Sequence, residues 1–275
     1  MRLHPTPRST RPSAARRAPA LAGAPALAGA VALALGLLTA CSAGTTPAPG
    51  DVTTPTVLAS PPVEMTAMQP PECLPDGVAY AEVGTGMAAS RVAWAGSGPR
   101  GVLLAPQVRG DVCQWAPELV RLAGEGYLVA TFDWGKAGEI GFRAALEVLR
   151  TTGAPDVAFV GASAGGTLAA GLADDLDAVA VVALSPPSEN GGVDARAASN
   201  RFAGPLQVFS STDDPQVAAA DSALVARQDA SSVVTEVPGT AHGIELLAPD
   251  NAHADHVRAT IDAALDQGFA TGATS

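Results

Sequence analysis

The chain has 275 residues, with 16 Lys or Arg against 27 Asp or Glu for a net charge of −11, and 47% of it is hydrophobic. Five of the basic residues and none of the acidic ones stand before position 42, so the remainder sets eleven cations against 27 anions, or −16. A body that acidic excludes nucleic acid and anionic lipid as partners held by its surface.

Arg2, Arg8, Arg11, Arg16 and Arg17 precede an Ala/Leu run from about position 18 to 38, which ends in Leu38-Thr39-Ala40-Cys41. A basic start, an apolar stretch and small residues before a cleavage point read as an export signal. The order Leu-Thr-Ala-Cys resembles a bacterial lipobox. That resemblance implies lipidation of Cys41 and attachment to the outer face of the cytoplasmic membrane in the cell envelope. The alternatives are a transmembrane anchor or a coincidental cysteine after an ordinary signal, but no flanking charge follows Cys41 and a Ser/Thr/Pro/Gly/Ala tail does. Membrane contact would then run through the lipid anchor alone. Residues 1–41 are thus expected to be a lipoprotein signal peptide, 42–71 a Thr/Pro/Ala-rich linker, and 72–275 one domain. Roughly 200 residues suffice for one buried core and are too few for two. Cys73 and Cys113 are an even pair in an exported chain, which predicts a disulfide between them.

Within the domain, short apolar runs alternate with helical periodicity. Strands are expected at 78–83, 91–95 and 101–105, then a helix carrying Leu119, Leu122 and Ala123 on one face. A strand at 127–132 precedes a helix over 142–149 in which Ala145, Leu146 and Leu149 share a side. Further strands are expected at 157–160, 178–184, 206–209 and 233–237, with a last helix over about 251–265. This alternation predicts an α/β domain with a doubly wound, mostly parallel sheet. Its ligand site should lie beyond the carboxyl ends of the strands.

The strand at 157–160 runs into Gly161-Ala162-Ser163-Ala164-Gly165 and then a helical segment. Small residues on both sides suit a sharp, strained turn that exposes the Ser163 hydroxyl as a nucleophile. A hydroxyl needs a base, and the base needs a third group to hold it. After the leader only His242, His253 and His256 remain. His253 and His256 fall in the last helix, whereas His242 lies in a small-residue loop just after a strand, which makes it the candidate base. Asp213 and Asp214 follow the strand at 206–209, in chain order between serine and histidine. Asp214, followed by Pro215, is the preferred acid and Asp213 the alternative. Asp133 precedes the serine and reads as a structural loop residue. Oxyanion donors are expected at the Ala164 N–H and on the loop Pro106-Gln107-Val108. Pro106 has no N–H, which leaves Val108 first and Gln107 second. No metal-ligand spacing or cofactor motif appears; His253-x-x-His256 lacks a third partner.

Serine turn, strand-end aspartate and late histidine in this order resemble the α/β-hydrolase fold family. The stretches Ala105-Pro106-Gln107, Asp111-Val112-Cys113-Gln114-Trp115 and Thr131-Phe132-Asp133-Trp134-Gly135 are similar to compact bacterial esterases and dienelactone-hydrolase-like members. Those groups usually carry histidine where this chain has Pro106, and polyester-degrading cutinase-like members are similar in having proline there. Ser211 stands where the family's Gly-x-x-Asp-Pro pattern has its glycine. The resemblance implies an esterase acting on a small-molecule ester through Ser163, Asp214 and His242, without a cofactor. The lid position, about twenty polar residues after 185, implies a minimal lid and no long-chain interfacial lipase. A catalytically silent binding lipoprotein and an acyltransferase with the same triad are the competing expectations.

Overall fold

The computed structural model describes residues 63–272, so the leader, Cys41 and all but the end of the linker lie outside the described residues. The chain opens with three antiparallel strands: β1 (Met65–Ala67), β2 (Ala79–Val83) and β3 (Ser90–Ala95). β4 (Arg100–Ala105), α1 (Ala116–Gly124), β5 (Leu128–Phe132), α2 (Gly138–Thr152), β6 (Asp156–Ala162), α3 (Ala164–Gly171) and β7 (Ala178–Leu184) follow in alternation. A small hairpin, β8 (Glu189–Asn190) and β9 (Val193–Asp194), and the one-turn α4 (Ala195–Ala198) come before β10 (Leu206–Ser211). The last elements are α5 (Ala219–Ser222), β11 (Ser232–Val237) and α6 (Ala254–Gly272). No helix among the described residues is long and apolar enough to cross a membrane.

Nine strands form one sheet in the order β1-β2-β3-β5-β4-β6-β7-β10-β11, and every pair from β5 to β11 is parallel. This is the doubly wound, mostly parallel α/β sheet expected from the sequence. β1 is an addition: Met65–Ala67 lies inside the segment read as linker, yet pairs with residues 81–83 of β2. Three residues with exposed side chains carry too little apolar pattern to announce a strand.

The central strands are apolar throughout because helices cover both faces. Side chains alternate along β4, so Val102 and Leu104 face one core and Leu103 and Ala105 the other. The first core is closed by Leu119 and Leu122 of α1 with Val257, Ile261 and Leu265 of α6. The second is closed by Phe142, Leu146 and Leu149 of α2 with Leu168 of α3. Phe142 stands edge-on to Phe159 with centroids 4.9 Å apart. Cys73 and Cys113 form the expected disulfide, with Cα atoms 5.5 Å apart. It fastens the segment before β2 to the turn that leads into α1.

β4 lies between β5 and β6, so the chain leaves β4 in one direction and returns past it in the other. The crevice at such a reversal opens between the carboxyl ends of β4 and β6. The loop starting at Pro106 and the turn at Ser163 are therefore brought side by side.

Candidate active site

Ser163 sits at φ 52° and ψ −123°, between the last residue of β6 and the first of α3. A non-glycine residue in that region is strained by about 1–3 kcal/mol and persists only where its surroundings impose it. Here the Ser163 N–H donates to the Leu184 carbonyl at 2.7 Å. The flanking glycines have a steric cause. A Cβ on Gly161 would lie 2.2 Å from the Gly165 oxygen, and one on Gly165 would lie 2.3 Å from the Ala105 oxygen and 2.4 Å from that of Pro106. Their absence lets the start of α3 drop onto the end of β4. Ser163 is 8% exposed, and its Oγ has no hydrogen-bond partner among the described residues, His242 included.

Ala164 opens α3, so its N–H has no acceptor within the helix and stands at the positive end of the dipole. Across the crevice, Gln107 donates its N–H to Gln114 Oε1 at 2.7 Å. That removes Gln107 as an oxyanion donor, correcting its place as the alternative. The N–H of Val108 bonds nothing among the described residues, and the residue is 52% exposed. Gly110 N–H donates to the Gln107 carbonyl at 2.8 Å, closing a turn whose third residue, Arg109, sits at φ 64°.

His242 leaves the loop after β11, and Asp214 the loop after the neighbouring β10. Asp214 Oδ2 lies 2.7 Å from His242 Nδ1, with both side chains buried. The other carboxylate oxygen, Oδ1, accepts the N–H groups of Gln216 at 2.8 Å and Val217 at 3.1 Å. Burial alone would raise the Asp214 carboxyl, but the Gln216 N–H, the His242 ring and the Val217 N–H outweigh it and leave it below its ordinary value. Asp213 turns elsewhere: its Oδ2 accepts the Thr212 hydroxyl and its N–H donates to Gly239. Ser211 donates its hydroxyl to the Ala241 carbonyl at 2.6 Å and so pins the residue before His242. Glu245 accepts the His242 N–H at 3.0 Å.

Asp133 does structural work, accepting the Val112 N–H at 2.9 Å and pairing with Arg91 at 2.7 Å. His253 precedes α6 rather than lying in it, and His256 stands edge-on to Phe209 at 6.2 Å.

Solved structures with the same architecture are numerous, at low identity. A monoacylglycerol lipase from Paleococcus ferrophilus superposes with a TM-score of 0.54 at 16% identity, covering 65% of this chain and 99% of its own. A thermophilic esterase from Thermogutta terrifontis gives 0.53 at 17%, over 70% and 94% of the two chains. A dienelactone hydrolase-like promiscuous phosphotriesterase from metagenomic libraries gives 0.52 at 20%, over 69% and 97%. No family model matches the sequence, and no curated protein matches it.

The chain has the α/β-hydrolase fold. The segment expected from the sequence to hold a minimal lid falls between β7 and β10. Its hairpin and α4 pack along α3: a Cβ on Gly171 would meet Val193 Cγ1 at 2.3 Å, and the Thr167 hydroxyl donates to the Pro187 carbonyl. Sequence reasoning did not reach the side chains of Gln107, Gln114, Ser211 and Glu245 as supports of the site. Gln114 and Glu245 act across a turn on a nearby backbone N–H, whereas Ser211 and Gln107 reach backbone groups 30 and 137 residues away, and such contacts leave no periodicity to read.

Proposed function

We propose that this protein is a serine hydrolase cleaving carboxylic esters or related acyl bonds through an acyl-enzyme. Ser163 Oγ attacks the acyl carbon while His242 Nε2 takes its proton. Asp214 holds the Nδ1–H side of the ring and stabilises the imidazolium that forms. The Ala164 and Val108 N–H groups receive the charge developing on the carbonyl oxygen. Collapse of the intermediate breaks the bond to the alcohol, which leaves with the proton from His242. Water then repeats the sequence and releases the acid.

One observation carries this reading: a buried histidine held at 2.7 Å by a buried carboxylate, at the same sheet edge as a strained serine. A buried carboxylate whose two oxygens are both engaged, one of them by an imidazole, orients that ring. The monoacylglycerol lipase and the esterase among the fold neighbours favour an ester as the acyl bond. The test is labelling with a fluorophosphonate, parent beside Ser163→Ala. Labelling of the parent alone is expected; a folded parent that stays unlabelled would overturn the proposal.

The order Leu38-Thr39-Ala40-Cys41 supports a second statement, that the enzyme is tethered to the cell envelope by lipid on Cys41. Incorporation of an alkyne fatty acid into the parent and its loss in Cys41→Ala, with release of the protein from membranes, is the expected result.

A further inference from the structure

The Gln107 side chain joins the two loops on which the proposed chemistry depends. Gln107 pairs reciprocally with the Gln114 carboxamide: the Gln107 backbone N–H donates to Gln114 Oε1 at 2.7 Å, and Gln114 Nε2 donates to Gln107 Oε1 at 3.1 Å. The same Gln107 oxygen accepts the N–H of Ile244, two residues past His242, at 3.4 Å. Between them stands Gly243 at φ 55°, where a Cβ would lie 3.1 Å from Gln107 Cδ and 3.4 Å from Ala162 Cβ. Gly243 thus lies against both the Gln107 amide and Ala162, at the strand end that leads into Ser163.

Gln114 itself is firmly held. Its N–H donates to the Asp111 carbonyl, Cys113 before it is in the disulfide, and Trp115 after it is fully buried. A chain of contacts therefore runs from this anchored turn through Gln114 to Gln107. From there it branches to the Pro106–Gly110 loop and to the histidine loop. Engaging the Gln107 N–H makes Val108 the first residue after β4 with an N–H left over for a ligand. Two donors on Gln107 Oε1 also fix which way the amide is turned.

We propose that Gln107, held by Gln114, is a positioning residue that sets the distance between the Val108 oxyanion donor and His242. The proposal rests on the serine-hydrolase reading above. A misplaced donor weakens transition-state binding far more than ground-state binding, so the defect belongs in kcat.

The experiment compares the parent with Gln107→Ala, Gln114→Ala, the double variant and Gln107→Glu, by ester kinetics and by hydrogen exchange. Each single alanine variant should lower kcat about 10- to 100-fold with KM within about threefold, below the loss typical of deleting an oxyanion donor. The double variant should be no worse than the poorer single, because the pair acts as one unit. Gln107→Glu retains oxygens for Gln114 Nε2 and Ile244 N–H. It adds a negative charge near His242, so the acid limb of its pH profile should move to higher pH. In Gln107→Ala, exchange should rise in both 106–110 and 243–247 while α6 stays protected. Parent-like kcat, additive losses, or exchange that rises in one loop only would each overturn the proposal. The exchange readout needs no turnover, so it separates failure of this coupling from an unlabelled parent, which strikes the hydrolase reading instead.

Discussion

The carboxyl edge of the parallel strands and the outer face formed by α1 and α6 solve opposite problems with the same chain. Three of the four non-glycine residues with positive φ among those described, Arg109, Ser163 and Ser185, follow β4, β6 and β7 at the carboxyl edge. Two glycines there permit backbone approaches that no side chain could share. The α1–α6 face is instead laced together by charge. Glu118, 4% exposed, bonds Arg121 and Arg258 at 2.6 Å each, and Arg121 reaches Asp262 on α6 at 3.0 Å. Conformational strain is concentrated where the proposed nucleophile is presented, and bracing lies behind it. The difference teaches that activity and stability should separate by mutation along this axis.

The largest effect expected is on turnover. Ser163→Ala should lower kcat by at least about 10⁴-fold, and Asp214→Asn by about 10³- to 10⁴-fold. The asparagine retains an oxygen for the Gln216 and Val217 N–H groups, but its NH₂ donates to Nδ1 and forces the wrong tautomer on His242. Both variants should melt within a few degrees of the parent by circular dichroism. Loss of fold in step with loss of activity would erase the separation.

Next come changes that touch stability alone. Replacing Cys73 and Cys113 by serine opens a loop of 40 residues, worth about 4 kcal/mol by loop closure. Thermal unfolding should fall by about 10 °C for a domain of this size. Glu118→Ala removes the carboxylate that two guanidinium groups share, leaving Arg121 with Glu125 and Asp262 and Arg258 with the Leu247 carbonyl. It should cost about 3 kcal/mol in urea unfolding, the low end for breaking a buried pair because both arginines keep some solvent. The folded fraction of each variant should keep kcat within a few-fold of the parent. A large kcat defect in Glu118→Ala would mean that the face and the edge are coupled after all.

How much of this was legible follows the range of the forces involved. The sheet was readable because burial on both faces writes continuous apolar runs, as in Ala178–Leu184, whose limits agree with expectation. The Asp214–His242 contact was reached from chain order and the Asp-Pro pair, since both residues sit just past strands that neighbour each other. β1 was not legible, because an edge strand of three exposed residues rests on ladder hydrogen bonds that any sequence can make. Nor was the fate of the Gln107 N–H, which depends on a side chain seven residues on that folds back through a turn. The alternative donor was excluded only by that contact.

The smallest effect sharpens the comparison at the acid itself. The Asp214 carboxyl is shifted below its ordinary value because burial, which raises it, is outweighed by the Gln216 N–H, the His242 ring and the Val217 N–H. A carboxyl whose folded pKa is depressed contributes stability that is present above its unfolded value, 3.8, and is lost as pH falls through the folded value. Unfolding free energy of the parent should therefore decline below about pH 4 more steeply than that of Asp214→Asn, which has nothing to protonate there. The two curves should converge toward low pH and run parallel near neutrality. Glu118→Ala, by contrast, should retain the parent's Asp214-dependent decline, because the carboxylate it removes lies on the opposite side of the comparison. Parallel curves for the parent and Asp214→Asn through the acid range would mean that the buried carboxylate is held no better in the fold than in the open chain. The hydrogen bonds that orient His242 would then lack the strength assigned to them.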